Sequence, residues 1–284
     1  MRIAVTGANG RLGRALLRSF ADSDVRAWSR PFYDLDDPEA AARAVAADRP
    51  EVIVHCAAWT DVDACARDAT VARRRNGVAV GELARAAARH GARLVVVSTN
   101  EVFDGRSPGR PYRSADPTGA INPYGASKLE GELAAKVAYV ARPGDLLIVR
   151  TAWLYGPPGN DFPVKVIAAA RRAVGEGAPL RLVADETGSP TNTSDLAEGI
   201  ATLVRDGVRG TVHVVNAGHA TRAEWGRAVL AAAGIETDVE LVPAATWKRE
   251  SRAPAWGVLA SDLPLRSWQE ASDEYVRGLV SVPA

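Results

Sequence analysis

Residues 2–13 read RIAVTGANGRLG, and this stretch decides how the rest of the sequence is interpreted. A short apolar strand runs into a turn with glycines at positions 7, 10 and 13, and an amphipathic helix follows. Such a turn lets the backbone approach a pyrophosphate and points the positive end of a helix at it. The spacing is GxxGxxG rather than GxGxxG, but its position after a first strand predicts nucleotide binding. The predicted phosphate-binding residues are Gly7, Asn9, Gly10, Arg11, Leu12 and Gly13.

Strands and helices are predicted to alternate beyond this turn. Val- and Ile-rich runs of this kind are typical of strands covered on both faces, and their alternation with helices implies a parallel sheet. The predicted fold class is therefore α/β, a doubly wound parallel sheet of the Rossmann type with a smaller C-terminal lobe. Further strands are expected at 25–29, 51–58, 93–99, 146–153, 180–185 and 211–218.

The pattern loosens after about residue 150, where Pro, Gly and Trp become frequent. We therefore predict a nucleotide-binding domain at 1–150 and a substrate-binding lobe at 151–284 that is partly interleaved with the sheet and covers its carboxyl edge. The stretch 104–123, rich in Gly, Pro, Ser and Asp, is expected to be a surface loop.

Composition excludes several classes of function. The 284 residues are 47% apolar and 24% charged with a net charge of +1, as in a globular protein without nucleic-acid or membrane partners. The run 73–75 is basic, which is typical of a solvated helix face. Neither Cys56 and Cys65 nor the four histidines have metal-ligand spacing, so no metal is expected. The N-terminus starts a strand at once and no apolar run could span a bilayer, which predicts a cytoplasmic protein.

The end of the second strand discriminates between nicotinamide cofactors. An acidic residue there would bind the ribose hydroxyls of NAD, but the sequence has Ser29 and Arg30, which suit a 2′-phosphate. NADPH is therefore the predicted cofactor, with NADH possible and with a plain surface role for Arg30 as the alternative. Asp34 and Leu35 follow, where a carboxylate could meet adenine and an apolar side chain could pack on it.

A second pattern carries chemistry. Tyr124 and Lys128 are four apart in a predicted helix and share one face. A nearby ammonium favours the phenolate, so we expect Lys128 to lower the pKa of Tyr124 and the pair to exchange a proton near neutral pH. Thr99 ends the apolar strand 93–99, at the sheet edge where ligands bind. Thr99, Tyr124 and Lys128 are the predicted catalytic residues, for moving a hydride to or from a carbon that bears oxygen.

At this point the chain resembles the dTDP-4-dehydrorhamnose reductase family of extended short-chain dehydrogenases/reductases. TGxxGxxG and YxxxK are shared by the whole superfamily, whereas VRTAWLYG and GSPTNTSDLA are more specific to this group. The resemblance covers nearly the whole chain and is carried by 6–13, 34–40, 49–66, the region of Asn76, 98–105, 122–132, 149–156, 185–197 and 252–263.

The family implies NADPH-dependent reduction of a 4-keto-6-deoxyhexose carried on dTDP, with hydride passing to C4 and Tyr124 donating the proton. It implies that Thr99 steadies the same oxygen and that Lys128 also holds the cofactor ribose. Trp153 matches an aromatic residue that borders the sugar. Matched to cofactor binding are Ala57, Ala58, Trp59 and Asn76, together with the glycine turn and the residues from Ser29 to Leu35.

The chain departs from the family where STDYVF has become STNEVF, so that Asn100 and Glu101 replace an Asp-Tyr pair. We predict that both shape a sugar pocket, with a polar strand exit as the alternative and a different dTDP-ketosugar as a fitting substrate. Two other readings stay open: an epimerase or dehydratase that uses Glu101 as an acid/base, and a non-catalytic NADP-binding regulatory subunit. The chain is expected to be a monomer or a homodimer.

Overall fold

The computed structural model describes residues 1–281; positions 282–284, the end of the predicted 151–284 lobe, lie outside the described residues. Short 3-10 turns lie at 100–102, 143–145 and 244–246, and a π-helical turn lies at 74–78. The strands are β1 (Arg2–Thr6), β2 (Asp24–Trp28), β3 (Val52–His55), β4 (Arg93–Thr99), β5 (Leu146–Thr151), β6 (Leu154–Tyr155), β7 (Leu180–Val183), β8 (Thr187–Gly188), β9 (Thr191–Asn192), β10 (Gly210–His213), β11 (Ala220–Thr221), β12 (Val239–Val242) and β13 (Trp256–Gly257). The helices are α1 (Arg11–Ser19), α2 (Ala40–Asp48), α3 (Val62–Arg67), α4 (Ala69–Arg73), α5 (Ala79–His90), α6 (Pro123–Ala138), α7 (Phe162–Glu176), α8 (Thr193–Arg205), α9 (Arg222–Ala233) and α10 (Trp268–Val280).

Six strands form one sheet in the order β10-β5-β4-β3-β1-β2, and all neighbouring pairs are parallel. The strand order reverses between β1 and β3, and ligands bind beyond the carboxyl ends of strands at such a switch point. The predicted doubly wound parallel sheet is thereby confirmed. No helix in the described part of the chain is long and apolar enough to cross a membrane.

Helices cover both faces of this sheet. On one face, α2, α5 and α6 bury small and branched side chains such as Ala44, Leu83 and Ala135. On the other, α1 and α8 bury Leu16 and Ile200 against the same strands. The two apolar faces explain why the strands read as continuous apolar runs instead of alternating patterns.

The second half of the chain is divided between the sheet and a separate core. α8 and β10 return to the six-stranded sheet, where β10 pairs with β5. α7, α9 and α10 surround buried Trp225 in a second core. The strand expected at 180–185 forms as β7, but it pairs with β12 outside the main sheet. A functional boundary at residue 150 stays a prediction.

Candidate active site

The glycine turn predicted as a phosphate site is built for close approach. Gly7 has φ +64°, and a Cβ on Gly13 would lie 2.2 Å from the Gly7 carbonyl oxygen. The N-cap of α1 is Gly10, which supplies no side-chain cap, and the first turn of the helix carries no acidic residue. The first N–H groups of α1 therefore face an anion site with a positive dipole end. Arg11 extends across the turn, and its Nε donates to the Gly156 carbonyl at 2.8 Å.

A single groove of 860 Å³ runs from this turn along the carboxyl edge of the sheet. Every predicted site residue lines it except Asn76. The groove brings together the phosphate turn, the end of β2, the segment after β3, the end of β4 and the first turn of α6. The sequence assigned these stretches separately, and the parallel sheet places all of their functional ends at one edge.

Asn76 is the one predicted cofactor-binding residue that does not line the groove. Its side chain is buried, and its amide oxygen accepts a 2.8 Å hydrogen bond from the Trp59 N–H. Its amide nitrogen donates to the Trp59 carbonyl at 2.9 Å and to Ser127 Oγ at 3.1 Å. Asn76 thus holds the Trp59 segment, which lines the groove, in place from behind.

At the β2 end of the groove, Ser29, Arg30, Asp34 and Leu35 form one rim, with the Arg30 side chain exposed. The basic run at 73–75 is more than a solvated face. Arg75 forms a bidentate pair with Asp36 at 2.8 and 2.6 Å. Its guanidinium lies 5.3 Å from the Trp59 ring centroid, so it closes the same end of the groove.

Thr99, Tyr124 and Lys128 meet in the middle of the groove. Tyr124 and Lys128 come from successive turns of α6, whose N-cap Asn122 accepts a hydrogen bond from the Gly125 N–H at 2.8 Å. A Cβ on Gly125 would lie 2.0 Å from the Glu101 carbonyl oxygen. Only glycine lets α6 start so close to the end of β4, and this contact sets Tyr124 beside Thr99.

Electrostatics at Tyr124 differ from the sequence-based expectation. Burial raises the pKa of Tyr124, the Glu101 carboxylate raises it further, and a hydrogen bond with Thr99 acts in the opposite direction. Lys128 Nζ instead donates to the Val97 carbonyl of β4 at 2.7 Å. Burial lowers the pKa of Lys128 to about 8, so the ammonium prevails at neutral pH. The expected lowering of the Tyr124 pKa by Lys128 is therefore wrong: Tyr124 is held as the neutral phenol.

The substituted pair after Thr99 faces the groove. Asn100 is buried, and a Cβ on Gly257 would lie 2.3 Å from its amide nitrogen, so β13 packs directly on it. The Glu101 carboxylate accepts a 2.6 Å hydrogen bond from the Asn122 amide. Burial raises the pKa of Glu101, with opposing effects from Asn122 and from Arg249 and Arg222.

Trp153 borders the groove in a strained backbone conformation, with φ +41°. Residues in the left-handed region are uncommon outside glycine and cluster at functional sites. The Arg222 guanidinium lies 3.5 Å from the centroid of the Trp153 ring, and the ring stacks with Trp225 at a centroid distance of 6.0 Å. Gly188 leaves room for the ring, because a Cβ there would lie 2.4 Å from it. The indole is thereby fixed in one orientation.

A second cavity of 450 Å³ shares Arg222 with the groove. In this cavity the Glu186 carboxylate forms ion pairs with two arginines, Arg222 at 3.7 Å and Arg249 at 3.5 Å. Sequence reasoning missed these residues, because they come from separate segments that form no local motif. Its lining combines two aromatic rings with four cationic side chains: Phe162, Trp247, Lys165, Arg181, Arg222 and Arg249. Within residues 1–281, no cluster of three His, Cys, Asp or Glu side chains could hold a metal ion.

The parallel sheet and the groove along its carboxyl edge are those of a Rossmann-type nucleotide-binding fold. A family model described as the RmlD substrate binding domain matches residues 1–280. The chain belongs to this family, as the motifs in the sequence predict.

Individual relatives agree with this assignment. The chain is 38% identical to the dTDP-4-dehydrorhamnose reductase of Mycobacterium tuberculosis strain H37Rv, over 95% of this chain and 90% of the relative. It is 36% identical to a probable dTDP-4,6-dihydroxy-2-methyloxan-3-one 4-ketoreductase of Streptomyces antibioticus, over 96% and 94%. The crystal structure of dTDP-4-dehydrorhamnose reductase from Bacillus anthracis in complex with NADP superposes with a TM-score of 0.88 at 31% identity, covering 96% of this chain and 98% of that one.

Proposed function

We propose that this protein uses NADPH to reduce the C4 ketone of a 4-keto-6-deoxyhexose carried on dTDP. The observation that carries the proposal is the continuity of the groove, which joins the glycine turn to Thr99, Tyr124 and Lys128. The two relatives named as reductases of dTDP-linked sugars support the substrate class. The division of labour follows: residues 1–150 bind the cofactor, and 151–284 supply most of the substrate contacts.

The phosphate end of the groove fits a dinucleotide. Gly7 and Gly13 let the turn pack closely on the Ala57 backbone and on the start of α1, and the uncapped N-terminus of α1 is available to the phosphates. At the β2 rim, Ser29 and the exposed Arg30 offer a hydroxyl and a guanidinium to a 2′-phosphate. The complex of the Bacillus anthracis relative with NADP agrees with this fit.

The chain's own residues account for proton delivery. When bound, the reduced nicotinamide supplies the hydride for C4. Tyr124 donates its proton to the oxygen at C4 as negative charge develops there, and its raised pKa keeps that proton in place until then. The Thr99 hydroxyl donates a hydrogen bond to the same oxygen. The Lys128 ammonium adds positive charge below this site and binds the cofactor ribose.

The second cavity suits the nucleoside diphosphate part of the substrate. Arg222 and Arg249 are placed for the two phosphates, and Trp247 and Phe162 offer flat apolar surface to the base. Because Arg222 also lines the main groove, a sugar attached to such a diphosphate reaches the space between Trp153 and Tyr124. Asn100 and Glu101 then face the sugar and set which ketosugar is accepted.

A turnover assay tests this proposal. Reduced-nicotinamide absorbance is followed after addition of dTDP-4-dehydro-L-rhamnose, and in parallel of other dTDP-4-ketosugars. Rapid oxidation of NADPH with one of them supports a reductase and identifies its substrate. Tight NADPH binding without turnover on any ketosugar contradicts the proposal and favours a regulatory subunit. Co-purified NAD that persists through turnover favours an epimerase or dehydratase.

A further inference from the structure

A buried ion pair lies one helical turn beyond Lys128. The Glu132 carboxylate accepts hydrogen bonds from Arg150 Nε at 3.0 Å and from its terminal nitrogen at 2.7 Å. The side chains are 0% and 4% exposed. Tyr124, Lys128 and Glu132 follow at intervals of four on α6 and therefore share its inner face. Arg150 lies on β5, so the pair connects the helix that carries Tyr124 to the central sheet.

Arg150 makes two further contacts that fix its position. Its guanidinium lies 5.2 Å from the Phe103 ring centroid, and one of its nitrogens donates to the Ser114 carbonyl at 3.3 Å. Phe103 follows the short turn that begins after Thr99. One guanidinium thus contacts the helix with Tyr124, the segment after Thr99 and the loop beyond it.

Stability alone does not account for this pair. Burying two charges costs solvation energy that their attraction often fails to recover, and apolar residues of similar volume are frequently neutral or stabilising replacements. Neither Glu132 nor Arg150 lines the groove, so neither touches a ligand there. We therefore expect the pair to act through the electrostatic effect of its charges on a neighbouring group.

Lys128 is that neighbour. The groups around it are Tyr124 and Glu132 on α6, Cys56 and His55 at the end of β3, and the Val97 carbonyl of β4. Burial is the largest influence on Lys128 and favours its neutral form; the Glu132 carboxylate is the largest influence in favour of the charged form. The neighbouring Cys56 thiol is neutral, because burial raises its pKa to about 12.

We propose that Glu132 and Arg150 are positioning residues for Lys128. Arg150 fixes the Glu132 carboxylate on the inner face of α6, one helical turn from Lys128, and from there that carboxylate favours the charged form of the buried ammonium. The consequence for turnover rests on the proposed reductase function, whereas the electrostatic link is a property of the chain itself and is tested separately.

The link is tested by competitive acetylation of the protein with acetic anhydride at increasing pH, with mass spectrometry of the lysine peptides. The chain has four lysines, so Lys128 is read individually. Only neutral lysine reacts, so the reactivity curve reports the Lys128 pKa. We expect the double variant Glu132→Leu/Arg150→Met to lower it by about one unit from its value of about 8, which raises the neutral fraction at pH 7 by about fivefold.

Two further variants separate this effect from a loss of folding. Glu132→Gln alone leaves the buried Arg150 guanidinium without its counter-ion and is expected to destabilise the fold. The double variant removes both charges and is expected to remain folded, as measured by circular dichroism. Arg74→Met/Glu82→Leu removes a partly exposed ion pair, joined at 2.8 Å, and is the control that should leave the Lys128 curve unchanged. Glu132→Asp, which keeps a carboxylate at this position, is expected to leave the Lys128 reactivity curve close to that of the parent.

The alkaline limb of kcat/KM gives the second readout. It is expected to move to lower pH in the double variant, in step with the labelling curve. An unchanged Lys128 curve in a folded double variant would overturn the proposal. A shifted curve in a protein without ketosugar turnover would leave the electrostatic link intact and count against the reductase function instead.

Discussion

The side-chain amide of Asn122 donates a 2.6 Å hydrogen bond to the Glu101 carboxylate while its oxygen caps α6 at the Gly125 N–H. Its amide also donates to the Arg252 carbonyl at 3.0 Å. One side chain therefore begins the helix that carries Tyr124, holds a carboxylate of the groove and anchors a late segment of the chain. Cap strength and site geometry depend on the same residue.

Asn122→Ala is expected to lower both stability and turnover. Loss of an N-cap typically costs about 0.5–2 kcal/mol of unfolding free energy, and here Glu101 also loses a partner. Denaturant unfolding and kcat measure the two effects. Ser267→Ala removes the N-cap of α10 and is the control: a similar loss of stability with unchanged kcat. Equal kcat in both variants would show that Asn122 acts only as a cap.

Glu101→Gln is expected to lower the pKa of Tyr124, because removing a nearby negative charge favours the phenolate. The tyrosinate absorbance difference between this variant and the same variant carrying Tyr124→Phe isolates the titration of Tyr124. Identical Tyr124 titrations with and without the Glu101 charge would contradict the coupling.

Tyr124→Phe is expected to bind NADPH as the parent does and to lose about 10²-fold or more in kcat, because a positioned proton donor contributes on that order. Fluorescence titration and steady-state kinetics provide the two numbers. Tyr139→Phe, at the C-cap of the same helix, is the control, since its hydroxyl donates to the Ala92 carbonyl away from the groove. Parental kcat in Tyr124→Phe would remove Tyr124 from the mechanism.

Arg30→Ala is expected to weaken NADPH binding much more than NADH binding, since only NADPH carries the 2′-phosphate that a guanidinium would hold. Dissociation constants for both cofactors test this. Arg26→Ala, an exposed arginine on the neighbouring strand that contacts Asp24, should change neither. Equal losses for the two cofactors in Arg30→Ala would show that Arg30 does not read that phosphate.

Arg222→Leu is expected to raise KM for the dTDP-sugar by about tenfold or more with little change in NADPH affinity, since one charge-assisted contact is worth about 1.5–3 kcal/mol. Arg227, exposed on the same helix α9, offers the matched variant Arg227→Leu, which should leave KM unchanged. An unchanged KM in Arg222→Leu would contradict the proposal that the second cavity binds the diphosphate.

The parts of this site that the sequence predicts are those in which function is carried by a local stretch. Each of these features is recognisable within a few residues: the glycine turn, Thr99 at the end of its strand, and the Tyr124–Lys128 spacing. The alternation of strands and helices then predicts the parallel sheet that brings them together. The direction in which a side chain points is harder to predict. The sequence places Asn76 among the cofactor-binding stretches, but its side-chain amide is hydrogen-bonded to the Trp59 backbone and does not line the groove.

Long-range electrostatics could not be predicted at all. The influence on the Tyr124 pKa depends on where Glu101 and Lys128 point, and Lys128 points to the Val97 carbonyl. Arg222 and Arg249 converge on Glu186 from segments that share no pattern. The sign of a pKa shift and the shape of a cation cluster are properties of the assembled fold, so a motif search passes over them.

The return of α8 and β10 to the six-stranded sheet has a consequence for synthesis on the ribosome. Until residue 213 has emerged, one edge of β5 is unpaired, and until residue 205 has emerged the apolar face that α8 covers is open to water. The nucleotide-binding half therefore cannot complete itself as the first 150 residues appear. A nascent chain arrested before β10 should expose the unpaired edge of β5, which is prone to aggregation. Its contacts with chaperones should decrease once β10 pairs with β5.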